Sequence, residues 1–476
     1  MRFYLVIIIF FTSYYSSLSQ QHSEQKLHYI PPKDPLVLKK LEDWSNRKFG
    51  LLMHWGLYAQ WGIVESWSLC PEDEDWCRRS GPYQDDWYAY KKSYENLQNT
   101  FNPTQFNPEK WASAAKMAGM KYVVFTTKHH DGFCMFDTKE TDYKITKSPF
   151  RSNPKSNVTK FVFDAFRKDS FMIGAYFSKP DWHTPYYWWG RFPPKDRNSS
   201  YPPNKYPEIW NRYKQFTFNQ IQELMTDYGK VDILWLDGGW VRPFSSIDTS
   251  VSWQKTIPFD QDIDMPKIAA NSRKLQPGLI VVDRTVTGEF ENYVTPEHQI
   301  PDTYLETPWE TCLTMGDSWG YTKNEHFKSA RKIIRLLTEI VSKNGNLLLG
   351  IGPSPEGEFH DTAYQRLEEI GNWMKINQES IYGTKGDNLI GQQGKFVFTH
   401  KNNSIYAIYR ADESESLPKM FEINNLRINK NAKVKLLGTT QNLKWIDKEG
   451  KMQIIIPENL YKSNLNNLAW VIKIEN

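Results

Sequence analysis

The sequence predicts an α/β fold, a (β/α) TIM-like barrel over residues 27–384 that is followed by a C-terminal all-β sandwich over residues 385–476. In the first part, segments with helical spacing alternate with short, nearly continuous apolar runs, which are typical of strands buried on both faces of a parallel sheet. At least six such helix–strand units occur, and no glycine-rich dinucleotide fingerprint follows a predicted strand, so a barrel is favoured over an open doubly wound sheet. After Gly386 short strands alternate with polar turns, which indicates the sandwich.

Local signals justify the elements in chain order. Asn107 is a capping residue and Pro108 a first-turn proline, and they predict a helix that ends before Gly119. The predicted barrel strands are 49–53, 122–127, 172–177, 231–236, 279–282 and 346–351. The predicted helices are 36–44, 108–117, 162–167, 216–228, 267–275 and 327–341. The predicted sandwich strands are 395–399, 405–409, 434–437, 452–456 and 469–474.

The N-terminal residues 1–20 have the pattern of a signal peptide. A positive start at Met1-Arg2 precedes the apolar run Phe3–Phe11, and Ser17-Leu18-Ser19 is a small-x-small cleavage pattern. The run is too short for a permanent membrane span, and no later stretch is apolar enough for one. We therefore expect an exported protein (secreted, periplasmic or lysosomal) without a membrane span.

The charge and aromatic composition narrows the class of partner. Lys and Arg number 59 against 55 Asp and Glu, a net charge of +4, which argues against a nucleic-acid-binding protein. The chain contains 19 Trp, 26 Tyr and 26 Phe. Such residues fill a large aromatic core or form a surface that stacks on rings, sugar rings included, and composition alone does not choose between the two.

The cysteines and glycosylation motifs leave two questions open. Four cysteines in 476 residues do not make a disulfide scaffold, although Cys70 and Cys77 lie close enough in sequence to pair in an exported protein. Sequons for N-glycosylation occur at Asn157, Asn198 and Asn402. The sequence decides neither the pairing nor the glycosylation, and it leaves the oligomeric state open.

Polar residues follow several predicted strands at their C-terminal ends, where barrels of this type carry their active sites. Four of the ten histidines fall at such ends, which is more than isolated structural histidines would explain. The candidate site residues at or next to these strand ends are His54, His129, His130, Tyr176, Trp235, Asp237 and Arg284.

Asp237 is the strongest candidate for chemistry. It ends an apolar strand and precedes two glycines, so a turn aspartate is the plain alternative. Trp235 and Trp240 flank it, and a carboxylate among aromatic rings suits a glycosidase, which uses a pair of carboxyl groups. The second carboxylate is not fixed by spacing. Its candidates are Asp283, Glu289, Glu291, Glu297 and Asp302.

A metal site is disfavoured by the sequence. His129 and His130 are adjacent, so their side chains do not share one face of a strand. The helical His-Glu-x-x-His pattern of zinc hydrolases is absent from the sequence, and we expect no metal ion.

A serine esterase is the alternative enzyme class. Residues 316–320 match Gly-x-Ser-x-Gly, the nucleophile elbow, with Ser318 as the nucleophile. An elbow requires a helix directly after the serine, and residues 320–323 intervene here before the predicted helix. The sequence therefore favours a glycosidase over a serine esterase.

Taken together, these motifs resemble the α-L-fucosidases of glycoside hydrolase family 29 over about residues 27–384. The matching strings are His54-Trp55-Gly56, Lys128-His129-His130-Asp131-Gly132-Phe133, Leu234-Trp235-Leu236-Asp237, Asp283-Arg284, Thr295-Pro296-Glu297 and Ser318-Trp319-Gly320-Tyr321. The resemblance implies a retaining exo-hydrolase that releases terminal L-fucose from a fucosylated oligosaccharide or glycoconjugate through a covalent fucosyl-enzyme intermediate, without metal or cofactor.

The resemblance also implies residue roles. Asp237 matches the nucleophile and Glu297 matches a position used as the acid/base, with Asp283, Glu289 and Glu291 as alternatives. The implied substrate-binding residues are His54, Glu65, Trp67, His129, His130, Tyr176, Trp235, Arg284 and Trp319. Glu65 and Trp67 resemble an adjacent Glu-Trp pair of the family, but Ser66 separates them in this sequence.

Two further expectations follow. The string 291–297 is similar to the subgroup that prefers α-1,3/1,4-linked fucose. A catalytically inactive carbohydrate-binding barrel is the main alternative to an enzyme, and the presence of Asp237 argues against it.

Overall fold

Seven parallel strands form one curled sheet in this computed structural model, which describes residues 29–71, 75–426, 428–461 and 468–475. The strands are β1 Phe49–Met53, β2 Tyr122–Lys128, β3 Met172–Ser178, β4 Ile233–Asp237, β5 Ile280–Asp283, β6 Glu310–Thr314 and β7 Asn346–Gly350. Their order across the sheet is β5-β4-β3-β2-β1-β7-β6. The predicted signal peptide at 1–20 lies outside the described residues.

Residues 290–298, the bridging segment, connect the two edges of this sheet. On the β5 side, the backbone N–H of Asn292 donates to the Val281 carbonyl at 3.0 Å. On the β6 side, the N–H of His298 donates to the Cys312 carbonyl at 3.1 Å. The bridging segment thus joins the edge strands, which do not pair with each other directly in the described sheet.

Large side chains from all seven strands fill the interior of the curled sheet. Trp44 of helix α1 (Pro35–Arg47) belongs to the same buried cluster and stacks on Tyr293 of the bridging segment, with ring centroids 3.9 Å apart. Gly50 makes room for the Tyr122 ring, because a Cβ at Gly50 would lie 2.4 Å from that ring. With this interior filled, the C-terminal ends of the strands are left for a site.

Helices cover the outer face of the sheet, and their ends follow the predicted signals. The Asn107 side chain accepts a hydrogen bond from the Lys110 N–H at 3.1 Å, and Gly119 takes a positive φ of 89° just after the helix. None of the described helices is long and apolar enough to cross a membrane. The helices after α1 are α2 Trp87–Glu95, α3 Pro108–Met117, α4 Val158–Lys168, α5 Pro207–Thr226, α6 Met265–Leu275, α7 Ala330–Ser342 and α8 Asp361–Asn377.

The C-terminal part consists of two antiparallel sheets around their own apolar core. One sheet has the order β12-β15-β10-β9-β8 and the other the order β11-β14-β13. The elements are β8 Lys385–Gly386, β9 Phe396–Lys401, β10 Ser404–Tyr409, β11 Met420–Asn424, β12 Lys433–Leu436, β13 Lys444–Lys448, β14 Lys451–Ile455, α9 Glu458–Tyr461 and β15 Trp470–Glu475. The predicted fold class, a barrel-like parallel sheet followed by an all-β region, is confirmed.

Lys48, between α1 and β1, has a buried amine that destabilises the fold. Its side chain is fully buried, and its Nζ has no hydrogen-bond partner among the described residues. Burial, together with the nearby charge of Lys385, lowers the pKa of Lys48 to about 7. Between pH 7 and pH 10.5 the unfolded chain therefore binds a proton that the folded protein does not, so stability decreases as the pH falls through this range.

We expect Lys48→Met to stabilise the protein, because it retains most of the side-chain volume and removes the buried amine. The gain at pH 7 should be roughly 2–4 kcal/mol, since one pKa unit corresponds to about 1.4 kcal/mol, and it should shrink toward pH 10. Thermal unfolding of both proteins at the two pH values measures this. Lys39→Met, at an exposed position of α1, is the matched control and should change little. An equal gain at both pH values would contradict the explanation.

Candidate active site

The C-terminal ends of the strands, the segment after β1 and the bridging segment bring the predicted site residues into one connected cluster. Tyr176 of β3 lies beside Trp235 of β4 in register, and their rings stack with centroids 5.2 Å apart. His54 follows β1, and its ring lies 5.2 Å from the Tyr176 ring and 5.4 Å from that of Trp319. These contacts place residues from distant parts of the chain around Asp237, the last residue of β4.

Four groups hold the Asp237 carboxylate. Tyr176 donates its hydroxyl to Oδ2 at 2.6 Å, and Arg284 donates Nη1–H to Oδ1 at 3.1 Å. The Gly238 N–H donates to Oδ1 at 2.8 Å, and His130 Nε2 lies 3.8 Å from Oδ2. Gly238 has a φ of 88°, and a Cβ there would lie 2.2 Å from Pro180, so this turn requires glycine.

Asp237 is an ionised carboxylate that remains accessible. Burial alone would raise its pKa, but the positive charge of Arg284, together with His130 and the hydrogen bonds from Tyr176 and Gly238, outweighs burial and holds the pKa well below its usual range. The side chain keeps 19% of its surface exposed, whereas its neighbour His130 keeps 1%. A charged, partly exposed oxygen at a barrel end is suited to nucleophilic attack.

Arg284 links Asp237 to Glu297. Its Nη2–H donates to Glu297 Oε2 at 2.8 Å while Nη1–H binds Asp237, so a single guanidinium brings the two carboxylates together. The guanidinium lies 4.6 Å above the Trp235 ring. Trp319 donates its indole N–H to Glu297 Oε1 at 3.2 Å, and the Glu297 side chain is 28% exposed. Both carboxylates are therefore partly exposed and held by the same guanidinium.

The other candidates for the second carboxylate are placed differently. Asp283 is buried in an ion pair with Lys179. Glu291 is also buried and accepts a hydrogen bond from the Thr285 N–H at 3.1 Å, and burial raises the pKa of Glu291 to about 8. Glu289 is exposed. None of the three shares Arg284 with Asp237 by a described hydrogen bond, which favours Glu297.

Three neutral histidines line the cluster. The ring centroids of His129 and His130 are 4.2 Å apart, and those of His54 and His129 are 5.5 Å apart. Burial is the main cause that lowers the pKa of His54 and His130 to about 4 and that of His129 well below its usual range. Neutral imidazoles donate from one nitrogen and accept at the other, which suits the hydroxyl groups of a sugar.

The segment around Glu65 and Trp67 also reaches the cluster. Glu65 is buried with a φ of 27° and accepts the Gly320 N–H at 2.7 Å, and burial raises the pKa of Glu65 to about 8. Strain of this kind is frequent at functional sites. The Trp67 ring lies 5.1 Å from the His130 ring. Ser66, which separates the two residues in sequence, contacts His129 directly.

Two residues near the site were missed by the sequence analysis. Arg197 lies with its Cζ 5.5 Å from the rings of Trp67 and Trp240, and its backbone carbonyl accepts the Trp240 indole N–H at 3.0 Å. Glu310 lies inside the curled sheet and accepts from Tyr122 at 2.6 Å and from Trp235 at 3.2 Å. Arg197 stands in a long loop without periodicity, and Glu310 begins β6, whose residues 310–314 do not form an apolar run, so no sequence signal pointed to either.

A cation has little support at this site. Ring nitrogens of His129 and His130 and a carboxylate oxygen of Asp237 lie within 4.8 Å of one another, which is the spacing of a possible ligand set. The guanidinium of Arg284, 3.1 Å from Asp237, would repel a metal ion there.

The esterase motif lacks the geometry of an elbow. Ser318 lies in a loop, and the next helix, α7, begins only at Ala330. The nearby His326 is exposed and lies 3.0 Å from Asp317 rather than against Ser318. A nucleophilic serine needs a base within hydrogen-bond reach, and Ser318 has no histidine in the described hydrogen bonds.

Comparison of the sequence with models of known protein families identifies the family of this chain. Residues 16–379 match the sequence model described as alpha-L-fucosidase. The chain belongs to the alpha-L-fucosidase family. Residues 392–475 match the alpha-L-fucosidase C-terminal domain. The resemblance to glycoside hydrolase family 29 and the classification as a glycoside hydrolase are thereby confirmed.

Relatives in this fucosidase family cover nearly the whole chain. The tissue alpha-L-fucosidase of Bos taurus is 26% identical over 95% of this chain and 92% of its own. The structure of alpha-L-fucosidase isoenzyme 1 from Paenibacillus thiaminolyticus has a TM-score of 0.73 and 27% identity, covering 92% of this chain and 99% of its own. A GH29 alpha-L-fucosidase from Bacteroides thetaiotaomicron, trapped as a covalent intermediate, has a TM-score of 0.71 at 22% identity, covering 95% and 98%.

Proposed function

We propose that this chain is a retaining, exo-acting α-L-fucosidase that hydrolyses terminal α-linked L-fucose from glycans through a covalent fucosyl-enzyme intermediate on Asp237. The observation that carries the proposal is the pair of carboxylates held by one guanidinium. Arg284 binds Asp237 with one nitrogen and Glu297 with the other, at the C-terminal ends of the barrel strands. Retaining glycosidases require two carboxyl groups close together on either side of the anomeric carbon.

In the first step an oxygen of Asp237 attacks the anomeric carbon of fucose, and the bond from that carbon to the glycan oxygen breaks. Glu297 gives its proton to the departing oxygen, so that the glycan leaves as a neutral alcohol. In the second step Glu297 takes a proton from water as the water oxygen attacks the same carbon. The ester bond to Asp237 breaks, and fucose leaves with its original anomeric configuration.

The surroundings of Asp237 suit the other groups of fucose. The hydroxyl groups of the sugar need fixed donors and acceptors, and the neutral rings of His54, His129 and His130 supply both. The methyl group and apolar face of a 6-deoxy sugar need aromatic walls, which Trp67 and Trp319 supply beside these histidines. The same residues would serve a binding protein, so the carboxylate pair is what favours an enzyme.

A preference for α-1,3/1,4-linked fucose is the finer part of the proposal. It rests on the string 291–297, which lies within the bridging segment. Glu297 is part of this string. Changes of amino acid in the segment would therefore alter the surroundings of the leaving glycan. Export is likewise proposed, from the signal-peptide pattern at residues 1–20. The N-terminal sequence of the mature protein, recovered after expression in a secreting host, tests it.

The function is tested by a release assay on fucosylated glycans of defined α-1,2, α-1,3, α-1,4 and α-1,6 linkage, with an aryl α-L-fucoside and an aryl acetate alongside. We expect hydrolysis of the fucoside, faster release from the α-1,3 and α-1,4 glycans, and no esterase activity. Proton NMR during the first turnovers should show α-L-fucose before mutarotation. Binding of fucose without release would indicate an inactive barrel, and initial formation of β-L-fucose would contradict a retaining mechanism.

A further inference from the structure

Ser66 is a buried serine whose hydroxyl group is directed to the site. It precedes the short 3₁₀ helix Trp67–Leu69 but does not cap that helix with its side chain. Its Oγ lies 2.6 Å from His129 Nδ1 and accepts the Asp131 N–H at 3.1 Å. The side chain therefore joins the turn to the residues that follow β2.

The hydrogen atoms of this contact can be assigned by counting donors. The Asp131 N–H already donates to Oγ, and a hydroxyl group has one hydrogen of its own. The second lone pair of Oγ could accept from an Nδ1–H, but the buried hydroxyl hydrogen would then have no acceptor, because His129 Nδ1 is the only other partner of Oγ among the described hydrogen bonds. The hydroxyl hydrogen is therefore assigned to Nδ1. His129 is neutral, because burial and the neighbouring His130 and His54 hold its pKa well below the usual range. Its one N–H is then on Nε2.

Since Ser66 engages Nδ1, Nε2 is the ring nitrogen of His129 that is left for the site. A ring nitrogen of His129 lies within 4.8 Å of both a ring nitrogen of His130 and a carboxylate oxygen of Asp237. The His129 ring also stacks on Tyr176, with centroids 5.8 Å apart, and Tyr176 itself donates to Asp237. An N–H of His129 near the Asp237 carboxylate would donate a hydrogen bond to an oxygen of the sugar that Asp237 attacks.

We propose that Ser66 is a positioning residue that fixes His129 in the Nε2-protonated tautomer, so that His129 offers a donor rather than a lone pair to a fucose hydroxyl group. The inference rests on the proposed fucosidase function for its substrate. It gives a chemical role to the residue that stands between Glu65 and Trp67 in the sequence: its hydroxyl group orients the His129 ring.

The test combines kinetics with nitrogen NMR of histidine-labelled protein. In the wild type, the His129 signal, assigned by its loss in His129→Gln, should show a protonated Nε2 and an unprotonated Nδ1. Ser66→Ala should change this pattern and lower kcat/KM on an aryl α-L-fucoside about tenfold, and Ser66→Thr, which keeps the hydroxyl group, should restore both. Ser68→Ala removes another buried hydroxyl from the same turn and is the matched control, with both readouts unchanged.

Several outcomes would overturn the proposal. A wild-type His129 protonated at Nδ1 would do so without any variant, as would a Ser66→Ala protein with unchanged NMR signals and activity. An equal loss of activity in Ser68→Ala would reduce Ser66 to a packing role. The tautomer readout does not depend on turnover. A wild type that releases no fucose but shows the expected tautomer would therefore reject the proposed function and leave the role of Ser66 in place.

Discussion

Asp237→Asn is expected to reduce fucoside hydrolysis by roughly a thousandfold or more, with the fold intact. The amide has the shape of the carboxylate, and its oxygen can still accept from Arg284 and Gly238, which donate to Oδ1 in the wild type. It is a poor nucleophile, however, so the covalent route is lost rather than weakened. Initial rates on an aryl α-L-fucoside, with thermal unfolding as a check of folding, measure the effect. Asp302→Asn, at an exposed position, is the control.

Azide makes this test specific to the nucleophile. In Asp237→Gly the missing carboxylate leaves a space in which azide can attack the anomeric carbon in its place. One displacement inverts that carbon, so the product from an α-fucoside should be β-L-fucosyl azide, which NMR identifies. Wild-type-like hydrolysis by a folded Asp237→Asn protein, or an α-fucosyl azide from Asp237→Gly, would assign the nucleophile to another residue.

The sequence predicted the barrel well where strands are mostly apolar. The runs at 122–127 and 172–177 lie within β2 and β3, because a strand buried on both faces is mostly apolar and its few polar side chains stand near the C-terminal end. Strand β6 was missed for the opposite reason. It begins with Glu310, whose carboxylate is satisfied inside the sheet by Tyr122 and Trp235, and this compensation exists only in the folded protein.

The candidate site was also predictable only in part, namely where its residues stand at strand ends. Residues at strand ends gather in any barrel, so His54, His130 and Asp237 could be placed together from the sequence alone. The second carboxylate could not, because it lies in the bridging segment, which is no regular strand. Its link to Asp237 runs through Arg284 and depends on the direction of that side chain. The role of Ser66 was not predicted for a related reason, since its contact with His129 exists only in the folded protein.

Glu297→Ala is expected to separate substrates by their leaving groups. An aryl fucoside with an acidic phenol leaves without a proton, so fucosylation should remain fast and kcat/KM should fall only modestly, by about tenfold. A glycan is a poor leaving group and needs the proton, so its release should fall by roughly 100- to 10,000-fold, the range attributed to general acid catalysis. Parallel rates on an activated aryl fucoside and on a fucosylated oligosaccharide measure this ratio.

The second step gives an independent readout of the same residue. Without Glu297 no base activates water, so the fucosyl ester on Asp237 should accumulate, and azide, which needs no base, should speed its breakdown. The azide meets an already inverted carbon, so the product should be α-L-fucosyl azide, the opposite anomer to that from Asp237→Gly. Glu289→Ala, at an exposed position in the same stretch of chain, should behave as the wild type. In the contrary outcome, Glu297→Ala would lose activity on both substrates equally and show no rescue by azide. If Glu291→Ala or Asp283→Ala then showed the larger loss on the glycan together with azide rescue, the acid/base would be reassigned to that residue.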